Sequence, residues 1–217
     1  MIKVISRLLP QDYFCLALSG GIDSIAIAHF LKRGKKKFTA VHVNAKYIDQ
    51  DDIAEEKVRE FCDVYDIPLV VKVVTDTYKK GSVEAWCRDM RYRMFQNVCT
   101  AMEIQNVVVC HHLDDCVESY LMNCFNGTSE YLPIPYKTDY NNMCIVRPFL
   151  RTTKDDINQY VIKKNLSTYV TEDELNADIN LNRNWIRQCL RPIIELKYPG
   201  ISKIVSKINE KFYQEYY

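Results

Sequence analysis

The stretch Ser19-Gly20-Gly21-Ile22-Asp23-Ser24 separates two apolar segments of the chain. Residues 13–18 have the length of a buried strand, and residues 25–31 continue as an apolar segment of helical length. A glycine pair between a strand and a helix lets consecutive backbone N–H groups curve around an anion, with the positive end of the helix behind them. The sequence therefore predicts a phosphate-binding loop whose contacts come from Ser19, Gly20, Gly21, Asp23 and Ser24.

The residue types in this loop limit the kind of nucleotide site. No lysine ends the loop, which argues against the Walker pattern, where a lysine reaches the terminal phosphates. Asp23 instead suggests a magnesium-bridged pyrophosphate, because Mg²⁺ is usually held by one or two carboxylates together with phosphate oxygens. The alternative interpretation is an ordinary Ser/Gly turn in which Ser24 caps the helix.

The alternation of strand and helix continues along the chain. We predict strands at 37–43, 68–74, 106–110 and 144–147, and helices at 51–65, 83–102, 114–125, 153–165, 182–196 and 201–212. The polar residues 138–142 are predicted to form a loop. This order indicates an α/β fold with a doubly wound, mostly parallel sheet and helices on both faces. Ligands of such sheets bind at the carboxyl ends of the strands, here after Leu18, Val43 and Cys110.

Composition narrows the class of protein without naming a partner. Lys plus Arg total 29 and Asp plus Glu total 28, so no global basic field marks a nucleic-acid surface. The nine cysteines include no Cys-x-x-Cys pair, which argues against a disulfide framework and a zinc or iron–sulfur site. Neither a signal peptide nor a membrane-spanning apolar run is evident. We expect a cytoplasmic protein with no membrane partner.

Further blocks of sequence carry a family resemblance. They are 84–92 (EAWCRDMRY), 111–119 (HHLDDCVES), 147–150 (RPFL), 172–178 (EDELNAD) and 183–187 (RNWIR). Together with the phosphate loop, these blocks make the chain similar to the tRNA(Ile)-lysidine synthetase family of PP-loop ATP pyrophosphatases, over about Leu16 to Pro199. The resemblance implies a ligase that uses ATP and Mg²⁺ to adenylylate the anticodon cytidine of tRNA(Ile) and then attaches free L-lysine to form lysidine.

Residue roles follow from the spacing and from this resemblance. Asp115 and Glu118 are three apart at a helix start, a carboxylate pair that suits an ammonium group, and the resemblance implies that they bind lysine. Arginine pairs on two helices share faces that can grip phosphate or RNA. The resemblance makes Asp23, Asp115, Arg88 and Arg187 catalytic candidates, adds His111 to the ATP contacts and adds Arg91 and Arg183 to the substrate contacts. Helix-dipole complementation by Asp114 and Asp115, and ion pairs of the arginines with Glu84, Asp89, Glu174 or Asp178, are the structural alternatives.

Two departures from the family bear on function. Residues 42–48 (HVNAKYI) lack the second His, the Gly and the Arg of the family's segment, which puts nucleotide contacts of this loop in doubt. The family continues into further C-terminal domains, which we expect this chain to lack. We expect a nucleotide-binding catalytic domain at 1–150 and a helical extension at 151–217 that completes the site and contacts tRNA. The oligomeric state is open, with a homodimer as one option. The rival hypotheses are a PP-loop tRNA thiolation enzyme and a nucleotide-binding module without catalysis.

Overall fold

The structure is a computed structural model that describes residues 1–76, 78, 81–127, 134–171 and 182–216. Six strands form one sheet: β1 (Phe14–Ala17), β2 (Phe38–Asn44), β3 (Leu69–Val73), β4 (Asn106–Val108), β5 (Lys137–Tyr140) and β6 (Met143–Val146). Their order across the sheet is β3-β2-β1-β4-β6-β5. All neighbours are parallel except β5 and β6. The predicted doubly wound, mostly parallel sheet is confirmed.

The helices follow the predicted alternation. They are α1 (Ile22–Arg33), α2 (Gln50–Val64), α3 (Val83–Met102), α4 (Leu113–Phe125), α5 (Lys154–Lys164), α6 (Asn182–Trp185), α7 (Arg191–Lys197) and α8 (Ile201–Tyr216). A five-residue π-helix, Ile186–Leu190, joins α6 to α7 without a break. Within the described residues, no helix is both long and apolar enough to cross a membrane.

Helices cover both faces of the sheet, and the side chains of each strand point alternately to one face and the other. Phe14 and Leu16 of β1 join a core with residues of α1, α2 and α5. Cys15, between them, packs with Phe95, Val98 and other residues on the α3 side. This period of two is what a pleated strand between two helical layers requires. A third cluster joins α4 to α8 and includes Val117, Val205 and Tyr213.

The predicted loop at 138–142 is wrong, because part of it forms an edge strand. β5 pairs antiparallel with β6 through a two-residue hairpin at Asn141 and Asn142, and Asn141 has a left-handed φ of 51°. A polar strand of this kind has no apolar run, since its side chains are exposed or half-buried at the sheet edge. The Asn pair was the available signal, because asparagine tolerates the positive φ of tight hairpin turns.

The order of the strands places a topological switch point between β1 and β4. The chain moves outward from β1 to β2 and β3, then returns to pair β4 on the other side of β1. Loops that leave neighbouring strands in opposite directions open a crevice at the carboxyl edge. The phosphate loop follows β1, and His111 and His112 follow β4, so the two motifs meet at this crevice.

Candidate active site

The phosphate loop turns at Gly20, and its conformation depends on that residue. Gly20 has φ of 91°, and a Cβ there would lie 2.8 Å from Oγ1 of Thr171 and 3.3 Å from Cγ2 of Val58. Thr171 closes over the loop, since its backbone N–H and its hydroxyl both donate to the Gly20 carbonyl, at 3.0 and 3.1 Å. Only a glycine combines this backbone conformation with so close an approach.

Ser24 stabilises the loop from within and does not cap the helix. The N-cap of α1 is Gly21, and Ser24 lies in the first turn with its hydroxyl donating to the Gly21 carbonyl at 2.9 Å. The hydroxyl of Ser24 also accepts from the Gly20 N–H and contacts the hydroxyl of Ser19 at 3.1 Å. The alternative of a Ser24 N-cap is therefore wrong. No side chain caps α1, so its N-terminal N–H groups remain available to an anion.

Asp23 is held between two cationic side chains. Its Oδ1 accepts from Nζ of Lys154 at 2.6 Å and lies 3.5 Å from Nε2 of His112. Burial would raise the pKa of Asp23, but His112 and Lys154 outweigh it and lower that pKa. Asp23 is therefore ionised at the mouth of the phosphate loop, with part of its carboxylate exposed.

The adjacent histidines His111 and His112 differ in charge. Burial lowers the pKa of His111 to about 4. Its Nδ1 accepts from Nε of Arg147 at 3.3 Å, which leaves the ring proton on Nε2. Burial acts against the charged form of His112 too, but the carboxylates of Asp115, Asp114 and Asp23 raise its pKa to about 10. The site therefore presents a neutral imidazole beside an imidazolium.

The predicted carboxylate pair lies on the first two turns of α4. Asp115 Oδ2 accepts from the backbone N–H of His112 at 2.8 Å, and Glu118 is fully buried. Although burial would raise the pKa of Asp115, the cationic side chains of His112 and Arg183 hold it well below its usual range. Asp114 points toward α5 and accepts from the backbone N–H of Lys154 at 2.7 Å. Asp114 thereby fixes the start of α5 against the start of α4.

Three arginines from the C-terminal helices converge on these carboxylates. Arg187 donates to Glu118 through Nε at 2.7 Å and through Nη2 at 2.9 Å, a bidentate pair. Arg183 donates to the same carboxylate at 3.1 Å and to Asp115 at 3.4 Å. Arg191 pairs with Asp114, and with Glu195 at 2.9 Å. Three cations therefore balance three carboxylates on α4.

The π-helix provides part of this geometry. Arg187 lies within Ile186–Leu190, between Arg183 on α6 and Arg191 on α7. A π-helical turn shifts the following residues around the axis relative to an α-helix, and such turns often occur at functional sites. The same side of this segment carries all three guanidinium groups to α4. Glu174 and Asp178, the ion-pair partners that the sequence suggested for Arg183 and Arg187, lie outside the described residues, as does the whole 172–178 block.

A cavity of about 240 Å³ lies against this cluster. His112, Glu118, Lys154, Arg187, Arg191, Pro192 and Glu195 line it. Its lining combines carboxylates with cations, as a site for a zwitterionic ligand would. The cavity shares His112 and Lys154 with the surroundings of Asp23, so it adjoins the phosphate loop.

Sequence reasoning did not assign several residues of this site. His112, Asp114, Lys154 and Arg191 all touch it, and Arg147 orients His111. Arg191 had a signal, because it continues the four-residue spacing of Arg183 and Arg187. Arg147 is buried and also donates from Nη1 to the Pro135 carbonyl and the Thr138 hydroxyl, both at 2.8 Å. No spacing predicts such a contact, since it depends on where β5 lies.

Arg88 and Arg91 are placed differently from the other candidates. Both are exposed on α3, and no contact joins them to the described residues of the phosphate loop. The guanidinium carbon of Arg88 lies 5.3 Å from the ring centroid of Tyr92. Burial lowers the pKa of Arg147, and Arg88 adds to that shift, so the two cations are near one another. Arg88 therefore lies at the rim of the site, on the side of Arg147.

The loop after β2 is ordered by Asn44, at the start of the departure from the family pattern. The buried Asn44 donates from Nδ2 to Asp52 at 2.7 Å and to Glu55 at 2.9 Å. Its Oδ1 accepts from the backbone N–H of Lys46 at 2.9 Å. An amide suits this position because it can donate to two carboxylates, which an aspartate cannot do when ionised.

The fold and the phosphate-loop crevice define a PP-loop nucleotide-binding domain, and the chain matches the PP-loop domain family over residues 2–194. It belongs to that family. Among curated proteins it is 29% identical over 214 residues to the tRNA(Ile)-lysidine synthase of Coxiella burnetii, which covers 95% of this chain and 47% of that protein. It is 31% identical over 204 residues to the tRNA(Ile)-lysidine synthase of Porphyromonas gingivalis, covering 90% and 43%. The chain thus spans about half the length of these relatives.

Solved structures support the same fold. The U34-tRNA thiolase NcsA from Methanococcus maripaludis superposes with a TM-score of 0.76 at 17% identity, covering 94% of this chain and 72% of that one. The NH3-dependent NAD synthetase of Campylobacter jejuni superposes with a TM-score of 0.52 at 14% identity, covering 95% and 87%. At these identities the likeness extends to the fold alone.

Proposed function

We propose that this chain is the catalytic part of an ATP-dependent tRNA-modifying ligase that adenylylates the anticodon cytidine of tRNA(Ile) and attaches lysine to form lysidine. The observation that carries the proposal is the juxtaposition of two parts at one crevice. An uncapped helix start with a glycine turn at Gly20 lies beside a cavity lined by charges of both signs, including Glu118 and Arg187. The first part suits the phosphates of ATP, and the second suits an amino acid. Relatives named tRNA(Ile)-lysidine synthase support the substrate assignment.

In the first step, the carbonyl oxygen of the cytidine attacks the α-phosphorus of ATP. An oxygen–phosphorus bond forms, and the bond between the α-phosphorus and the α,β-bridging oxygen breaks. Pyrophosphate leaves with the electron pair of that bond. Ser19 to Ser24 hold the phosphates through backbone N–H groups and hydroxyls. The imidazolium of His112 and the ammonium of Lys154 stabilise the negative charge that develops. His111 donates from Nε2 to a phosphate oxygen, since its Nδ1 is occupied by Arg147.

The residues present fit Mg²⁺ through Asp23. Its carboxylate is ionised and partly exposed beside the phosphate loop, which suits an ion that is held mainly by phosphate oxygens and one carboxylate. Binding there requires Lys154 to share or release Oδ1 of Asp23. When bound, Mg²⁺ neutralises charge on the leaving pyrophosphate.

In the second step, the side-chain ammonium of lysine loses its proton to solvent water, and the neutral amine attacks the carbon of the base that carries the adenylylated oxygen; the amine's second proton also passes to water. A carbon–nitrogen bond forms, the carbon–oxygen bond breaks, and AMP leaves. Asp115, one of the catalytic candidates, is a nearby carboxylate that could serve as the base for this proton. Its lowered pKa makes it a weak base, because proton transfer is most effective when the pKa lies near the working pH. Asp115 is therefore better suited to hold the α-ammonium group of lysine, together with Glu118.

The arginines must exchange partners for this to occur. Arg183 and Arg187 cover the oxygens of Glu118 that lysine would contact. Polyphosphate is a strong competitor for guanidinium groups, and both arginines are partly exposed. When ATP binds, it draws Arg187 from Glu118 toward phosphate, and the carboxylates become available to lysine. ATP therefore binds before lysine.

The two predicted parts of the chain supply different residues of this site. Residues 1–150 supply the phosphate loop, His111, His112 and the carboxylates of α4. Residues 151–217 supply Lys154 and the three arginines, so we assign to them the completion of the site and part of the tRNA contact. α5 packs on α1 in the main core, and α8 packs on α4.

Pyrophosphate release tests this function. The chain is incubated with ATP, Mg²⁺ and total tRNA, with and without radiolabelled lysine, and pyrophosphate and acid-precipitable label are both measured. We expect release that depends on tRNA and label that enters the RNA only with the complete mixture. Asp23→Ala should abolish both signals, whereas Asp63→Ala, an exposed aspartate near the end of α2, should retain them.

The other outcomes separate the rival functions. Release that depends on tRNA without incorporation of lysine would keep the PP-loop chemistry and reject lysine as the nucleophile. Thiolation is disfavoured by the site, because burial raises the pKa of Cys110, and of Cys116 to about 12, which keeps both thiols protonated and poorly nucleophilic. ATP binding with no release in any mixture would instead identify a nucleotide-binding module.

A further inference from the structure

Three aromatic side chains form a cluster at the carboxyl edge of the sheet. Tyr47 follows β2, Trp86 lies in the first turn of α3, and Tyr78 belongs to the connection between β3 and α3. The ring centroid of Tyr47 lies 5.9 Å from that of Tyr78 and 6.3 Å from that of Trp86, and the latter two are 5.8 Å apart. None of the three rings belongs to the buried hydrophobic clusters. We call these three side chains the aromatic platform.

The platform leaves ring surface uncovered. The rings of Tyr47 and Tyr78 are nearly perpendicular, at 87°. An edge-to-face contact covers the face of one ring and only the edge of the other. Tyr47 is 38% exposed, and Trp86 and Tyr78 are partly exposed. Exposed single aromatic residues are ordinary, but three in mutual contact at a ligand-binding edge are a surface on which a flat ligand can stack.

The backbone holds Tyr47 in place before any ligand arrives. Lys46 has a left-handed φ of 52°, and its N–H is bound by the side chain of Asn44. The Asp51 carboxylate accepts from the backbone N–H groups of Tyr47 at 2.9 Å and Ile48 at 3.3 Å. An ordered aromatic side chain loses little conformational entropy when it binds, so this preorganisation favours affinity.

Cations next to the platform favour an anionic ligand. Arg88 and Arg91 follow Trp86 on α3, both are exposed, and the described side chains include no ion-pair partner for either. Two carboxylates that follow the Tyr47 loop are already engaged, Asp51 by backbone N–H groups and Asp52 by Asn44 and Lys46. Tyr92 contacts Arg88 and lies near Arg147, which in turn contacts His111 of the active site.

We propose that the aromatic platform binds an unpaired base of an RNA loop by stacking, while Arg88 and Arg91 contact the adjoining phosphates. Single-stranded nucleic acids are commonly bound in this way, by aromatic rings that stack on bases beside cations that follow the backbone. The inference rests on the proposed function, because it locates one part of the tRNA substrate.

The fluorescence of Trp86 reports RNA binding at the platform. Trp185, the other tryptophan, is replaced by Phe in every protein, and Trp86 fluorescence is titrated with a short RNA hairpin that has an unpaired loop and with a fully paired duplex. We expect saturable quenching by the hairpin, and binding about tenfold or more weaker in Tyr47→Ala. Tyr47→Phe should bind like the parent. Tyr13→Ala is the matched control, since Tyr13 is 41% exposed at the opposite edge of the sheet.

Two further measurements separate stacking from other contributions. Arg88→Gln should reduce the salt dependence of binding, whereas Tyr47→Ala should lower affinity at every salt concentration with the slope unchanged. ATP affinity should not change in Tyr47→Ala. If Tyr47→Ala lost ATP affinity and kept RNA affinity, the platform would be an adenine site and the proposal would be wrong.

The remaining outcomes distinguish this inference from the proposed function. Hairpin binding that is unaffected by Tyr47→Ala, in a chain that releases pyrophosphate with tRNA, would reject the platform and leave the function standing. Loss of hairpin binding in Tyr47→Ala, in a chain that never releases pyrophosphate, would support the platform and reject the function. A parent protein that binds neither hairpin nor duplex would overturn the platform, and the pyrophosphate assay would decide the function separately.

Discussion

Arg187 forms a two-point hydrogen-bonded ion pair with Glu118, at 2.7 and 2.9 Å, although the two residues are 69 positions apart in the chain. Glu118 is fully buried, and Arg183 and Arg191 add further cationic contacts at 3.1 and 3.7 Å. The carboxylate that the sequence suggests for lysine binding is thus covered by residues that it suggests for catalysis and substrate binding. The proposed function requires these ion pairs to exchange partners.

Removal of the Glu118 charge should destabilise the fold. Glu118→Gln leaves three guanidinium groups around a neutral amide, and breaking a buried ion pair in this way typically costs about 3–5 kcal/mol. Glu195→Gln removes a partly exposed partner of Arg191 one turn away, where about 0.5 kcal/mol or less is expected. Urea denaturation of both variants measures the contrast. Equal losses of stability would mean that the buried cluster is not the source of the effect.

Lysine binding should depend on ATP because Arg187 covers Glu118. We expect calorimetry to detect little lysine binding to the free protein and tighter binding with a non-hydrolysable ATP analogue present. Arg187→Ala should bind lysine without the analogue, since one of the competing cations is gone. Arg59→Ala, which removes an exposed arginine paired with Glu55 on α2, provides the control and should retain the dependence on nucleotide. Equal lysine affinity with and without the analogue in the parent protein would contradict the exchange.

The ionisation of His112 should make stability depend on pH. Its pKa is raised from 6.5 to about 10 in the folded protein. A raised pKa stabilises the fold fully below pH 6.5, and this contribution is lost as the pH rises toward 10. The free energy of unfolding should therefore fall between pH 7 and 9, and His112→Gln should flatten that decline.

A second buried histidine provides the control for this pH effect. Burial lowers the pKa of His29, so the dependence on its ionisation lies on the acid side of pH 6.5. His29→Gln should leave the slope between pH 7 and 9 unchanged. A slope that persists in His112→Gln would assign the effect to other groups. Denaturant unfolding at several pH values gives all of these slopes.

The glycine turn of the phosphate loop should tolerate no side chain. Gly20→Ala places a Cβ 2.8 Å from Thr171 Oγ1 at a positive φ, and strain of this kind costs on the order of 1–3 kcal/mol. We expect ATP affinity to be lost together with stability. Gly200→Ala meets nothing within 4 Å and should be close to neutral in thermal unfolding and nucleotide binding. Normal ATP affinity in Gly20→Ala would show that the turn is not needed for the nucleotide.

Much of the fold could be predicted because it depends on local patterns. Apolar runs of strand length, separated by helical segments, predict a parallel sheet, and the carboxyl ends of its strands then predict where the motifs meet. β5 was missed because a polar edge strand has no apolar run, and its Asn141-Asn142 turn is a weak signal on its own. Residue spacing also placed Asp115 and Glu118 correctly on one side of α4.

By itself, the sequence determined the strand and helix order, the glycine loop after β1 and the histidine and carboxylate motif after β4, because each depends on neighbours within a few residues. The tertiary structure alone decided that Arg183 and Arg187 pair with those carboxylates, since their partners lie more than sixty positions away. It also decided that His111 is neutral and His112 charged. Adjacent residues of one type acquire different pKa values only from burial and from charges that folding brings near them.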